Sequence, residues 1–189
     1  MSERNTVLRS MHDIGLAGWF GGSLMGAVGL NGAAGQAPNP AERLQIASAG
    51  WDRWGPVNLA AIGAHVVGAA GILVFEVPRV ATQKGVGAMS VAKTALTAAA
   101  LGATVYSRLA GKKMEKAGGV PVEGTTEPAP STPEDVSGSQ RQQRVAQWMT
   151  PVLTGALLVV SALAGEQQKP GSVQRGMGAR VRQFLTPSA

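Results

Sequence analysis

From Ile14 to Leu30 the chain runs 17 residues without a charged side chain, and from Ala146 to Ala164 it runs 19 more. A helix of that length spans about 30 Å of hydrocarbon. Two further stretches behave alike. Pro56–Val77 carries only Glu76 as a charge, and Val86–Ser107 carries only Lys93. Charge is confined to the segments between. The averages, 44% apolar residues and a mean hydropathy of +0.08, conceal this segregation. Charged residues make up 15% of the 189-residue chain, against about 25% in soluble domains. Aromatics are scarce, and Gly and Ala fill the apolar stretches, as suits helices packing closely in lipid.

The expected fold class is therefore all-α, an integral membrane bundle of about four transmembrane helices in the cell inner (plasma) membrane. Residues 1–112 hold three spans, at about 12–31, 56–77 and 86–107. Lys93 sits about 10 Å inside the third at 1.5 Å per residue, within reach of the headgroups by snorkelling. Residues 113–144, rich in Gly, Pro, Ser and Thr, read as a disordered linker. The fourth span covers 145–165. Residues 166–189 form a basic tail whose apolar residues recur at helical spacing, an amphipathic segment for an anionic surface. Pro56 stands where a helix prefers to begin, and Trp51 and Trp54 read as interfacial anchors. The polar start and the long apolar run after it do not fit a cleaved signal peptide. Lys and Arg divide nine to eight between the two faces, so the basic tail alone favours both termini inside.

The net charge of +6 lies beside apolar segments, which points to anionic lipid headgroups and away from nucleic acid. With no cysteine, thiolate metal sites, disulfides and Cys nucleophiles are excluded. No P-loop, dinucleotide fingerprint or nucleophile–base pair is present, so neither an enzyme nor a cofactor is expected.

The most specific pattern is a row of glycines in the first span: Gly15, Gly18, Gly22, Gly26 and Gly29. Their spacing puts all five within an arc of roughly 80° on one helix face. Such a face admits another backbone at close range, and Gly22 is its centre. Ala64 and Gly68, one turn apart in the second span, offer a matching small surface. The seam is expected within one subunit, with a homo-oligomer or membrane-protein partner as the alternative.

The ionisable and polar groups inside spans are His65, Asn58 and Glu76. Intramembrane groups of this kind are functional candidates. His12 and His65 are the two histidines. Counting from the expected span ends puts His65 about 18 Å deeper than His12, which argues against both ligating one haem iron. His12 and Asp13 are too few for a metal site. His65 is expected to bond a neighbouring helix.

The run His12-Asp13-Ile14-Gly15-Leu16-Ala17-Gly18-Trp19-Phe20-Gly21-Gly22 resembles the opening helix of small four-helix membrane proteins of the copper-resistance-D-like type and related proteins of unknown function. The rest of the chain resembles small actinobacterial membrane proteins. The resemblance implies a four-span bundle. It implies no metal role here, because the Met and His clusters that copper would want are missing. The leading expectation is a non-enzymatic scaffold or accessory subunit acting through helix packing. Its rivals are a small transporter or channel using His65 and its polar neighbours, and a haem-binding electron-transfer subunit.

Overall fold

The computed structural model describes residues 6–82 and 85–166, with the side chains of 76 and 78–82 outside the description. Within those bounds the chain is all-helical. Helix α1 (Thr6–Met25) continues through a π-helical turn at Gly26–Leu30 into the short α2 (Asn31–Gly35). Then follow α3 (Arg43–Thr82), α4 (Val86–Lys116) and α5 (Glu134–Glu166). The basic tail lies outside the described residues.

Three helices are long and apolar enough to cross a membrane: α3 over Arg43–Phe75, α4 over Val86–Lys116 and α5 over Glu134–Glu166. Their outward positions are apolar. Val67, Val74 and Phe75 of α3, Val91 and Val105 of α4, and Val152 and Val159 of α5 are all exposed. Polar residues point inward instead. His65, Gln140 and Thr154 are completely buried. In water this arrangement would leave large apolar area unburied, which soluble monomers avoid. The chain is a membrane protein.

α1 lies along α3, α4 lies along α5, and the two pairs close on each other through α1–α5 and α3–α4. At the centre Leu16, Trp19, Ala100 and Leu157 form a fully buried cluster.

Three differences from the sequence reading concern where elements begin. α3 starts at Arg43, well before the expected start of the second span at residue 56, so Pro56 lies inside it. Its missing N–H costs one helical bond, to the carbonyl four residues earlier. α4 continues to Lys116 and α5 starts at Glu134, so much of the expected linker is helix. The remaining residues, 117–133, are folded rather than disordered. Val122 is fully buried in a small cluster with Leu44, Met114 and Val136. Arg43 holds this cap by donating to the carbonyls of Val122 (3.0 Å), Glu123 (2.7 Å) and Ala37 (3.0 Å). Gln140 donates to the carbonyls of Gly124 and Thr125, at 2.9 and 3.2 Å. Side-chain bonds to backbone carbonyls thus order a segment too poor in apolar residues to order itself.

Candidate functional site

The glycine row faces α3. A Cβ on Gly15 would run into the backbone of Ala61 and His65, and one on Gly68 into the backbone of Leu8 and His12. These two glycines make the closest backbone approach of the pair. Gly18 lies near the Ala61 methyl, 3.3 Å from where its own Cβ would stand. At Gly22 and Gly26 the neighbours are side chains. The Trp54 indole fills the space over Gly22, and the Trp51 indole that over Gly26. Gly29 turns away and meets only its own Met25. Ala64 is partly exposed on α3. The tryptophans expected at an interface are thus packing residues on the glycine face. Trp51 also donates its indole N–H to Asn31 Oδ1 at 2.9 Å.

This register brings the two histidines together. Their ring centroids are 4.6 Å apart with planes tilted 47°. His65 Nδ1 lies 3.3 Å from the His12 carbonyl oxygen and Nε2 lies 3.3 Å from Thr97 Oγ1. The expected 18 Å depth difference is therefore wrong. α1 begins at Thr6, and α3 runs well past it, so Leu8 meets Gly71 and His12 meets Gly68. Rings in direct contact leave no room for a macrocycle between them. His12 also pairs with Asp13 at 2.7 Å.

Polar contacts continue from the histidines through the bundle. The Trp19 indole lies 5.9 Å from the His65 ring, centroid to centroid. Its N–H donates to Thr104 Oγ1 at 3.1 Å, and Thr104 and Thr150 hydroxyls are 3.4 Å apart. Beyond Thr104, towards the cap, a cavity of about 110 Å³ opens among α1, α3, α4 and α5. Trp51, Trp54, Asn58, Thr104, Gln143 and Thr150 are among its lining. Three residues of this lining carry a buried atom with no partner among the described residues: Trp54 Nε1, Asn58 Oδ1 and Gln143 Oε1. Gln143 spends its other amide end on Ser107 Oγ, at 2.8 Å. At the edge, Arg108 pairs with Asp52.

Of the sequence candidates, Asn58 lies in this cavity and His65 one layer away, beyond Trp19. Glu76 falls among the side chains outside the description. Sequence reasoning missed Gln143 and Thr150. Their signal was present: Gln140, Gln143, Gln147, Thr150 and Thr154 follow at steps of three and four, a polar stripe on one face of α5. On the opposite side of the bundle, Lys93 and His12 line an apolar groove between α3 and α4 with Val66, Ala70 and Leu101. Among the described residues no group of three or more His, Cys, Asp or Glu is placed to hold a metal ion.

No family model matches this chain, and neither the curated proteins nor the solved structures contain a match to it.

Proposed function

We propose that this chain is a non-enzymatic, multi-pass protein of the plasma membrane that acts as an accessory or scaffold subunit through helix packing, with α1 and its π-turn serving as a fourth span. The observation that supports this is an unfilled small-residue face. Ala95, Ala98, Ala99 and Gly102 share the exposed side of α4, and no atom lies within 4 Å of where a Gly102 side chain would begin. The glycines facing α3 are used inside the subunit, whereas this face is free for a helix of a partner or of a second copy. Anionic headgroups would take the basic flanks.

The absence of cysteine makes a clean test possible. Gly102→Cys, carrying a thiol-attached photocrosslinker in native membranes, is expected to give one discrete protein adduct, with itself or with a partner. Val159→Cys, on the outer face of α5, is the control. Equal, diffuse labelling from both positions would mean that the α4 face meets only lipid.

The cavity and the polar contacts leading to it favour a second reading, a small channel or transporter. Solute flux in proteoliposomes that His65→Ala abolishes would replace the first reading with this one.

A further inference from the structure

We propose that the cavity between Trp54, Asn58 and Gln143 is a binding site for a short neutral polyol. The site stands apart from the accessory role, since it lies inside the bundle and away from the α4 face.

Three observations carry the assignment. The first is unmet hydrogen-bonding capacity. Gln143 is 5% exposed, yet its Oε1 is unpartnered, as are Asn58 Oδ1 and Trp54 Nε1. Groups buried this way are normally satisfied. Two amide oxygens call for donors and an indole N–H calls for an acceptor, and a molecule with several hydroxyls supplies both. If either amide is turned over, its exposed end becomes a donor, which a hydroxyl satisfies equally well.

The second is shape and surface. A 150 Å³ cavity accommodates benzene, so about 110 Å³ suits a molecule of about four to six non-hydrogen atoms. The indoles of Trp51 and Trp54 add apolar surface beside the polar atoms. A polyol has the same mixed character, with C–H faces between its hydroxyls.

The third is charge. Arg108 and Glu115 are the charged residues of the lining, both exposed and opposite in sign, and Arg108 is paired with Asp52. The interior offers no net charge to hold an ion, and a buried ion without a partner would be costly.

The test uses the full chain purified in detergent without glycerol. Glycerol and ethylene glycol are the probes, followed by saturation-transfer NMR, with urea as the amide comparison. Saturable binding of one polyol, displaced by the other, is expected. Asn58→Leu and Gln143→Leu should each weaken it about fivefold or more, the loss of one hydrogen bond. Helix content and elution volume show that each variant is folded, and either one alone suffices. No saturable polyol signal would overturn the proposal, as would binding unchanged in the folded variants. Urea binding as tightly as the polyols would overturn the ligand class.

Discussion

Gly68 and Gly29 are both helical glycines in the same bundle, yet their surroundings set opposite expectations. An added methyl at Gly68 meets backbone atoms of Leu8 and His12, which cannot rotate aside. Gly68→Ala must therefore push α1 off α3. Overpacking of this kind costs about 1–3 kcal/mol. At Gly29 the methyl meets only the end of Met25, a flexible side chain, at 3.4 Å. There the helix preference for Ala over Gly, roughly 0.5–1 kcal/mol, is free to act. Denaturation in detergent should show Gly68→Ala clearly less stable than the parent and Gly29→Ala equal to it or better. Equal stability of the two variants would refute the register described for α1 and α3. The glycine row itself was legible from spacing. Its centre was not, because spacing does not reveal whether a neighbour offers backbone or an indole. Gly22 faces the Trp54 indole, whereas Gly15 and Gly68 are the positions where backbone meets backbone.

At the scale of elements, uncharged length announced the apolar parts of all the helices, but not their ends. Helix α3 begins well before the hydrocarbon-like run because Trp51 and Trp54 have glycines to pack against across the seam. That contact is tertiary, and no local pattern contains it. The cap was illegible for the same reason. Residues 117–133 look like a linker by composition, and what orders them are Arg43 and Gln140, both distant in the chain. Hydrogen bonds from a charged donor are worth about 1.5–3 kcal/mol, so Arg43→Ala should release the cap. A glutamate-specific protease acting on permeabilised membranes should then cut at Glu123 and Glu127 at least about tenfold faster than in the parent. Unchanged cleavage would mean that Arg43 does not hold the segment. The polar stripe of α5, by contrast, could have been read directly. Gln140, Gln143, Gln147, Thr150 and Thr154 mark an inward face of a membrane helix as plainly as leucines mark one in a soluble bundle.

For the whole molecule, the governing fact is the inversion of a soluble core. The inside holds His65, Gln140, Gln143, Thr150 and Thr154. His65 and Gln143 bond to neighbouring helices, Gln140 to carbonyls of the cap, Thr154 to a carbonyl of its own helix, and Thr150 lines the cavity. The outside carries valine, leucine and phenylalanine. Lipid makes this arrangement stable, because apolar side chains lose nothing by facing acyl chains while polar groups gain by facing each other. Helix α1 carries Arg9, His12 and Asp13 in its first turns and gives way to a π-turn at Gly26–Leu30, yet Ile14 and Val28 face outward there as valines do on α3 and α5.

The most direct measurement is thiol labelling of single-cysteine variants at Ile14, Val67 and Val159, positions 72%, 54% and 60% exposed on α1, α3 and α5. A hydrophilic maleimide is applied to permeabilised native membranes, with Glu123→Cys on the cap as the reference. Free of lipid, all four thiols stand open to the reagent. In a bilayer-spanning bundle, Ile14→Cys, Val67→Cys and Val159→Cys should resist labelling until a denaturing detergent dissolves the bilayer, while Glu123→Cys reacts at once. Labelling of the three apolar positions as fast as Glu123→Cys, in intact bilayers, would contradict a membrane-spanning bundle.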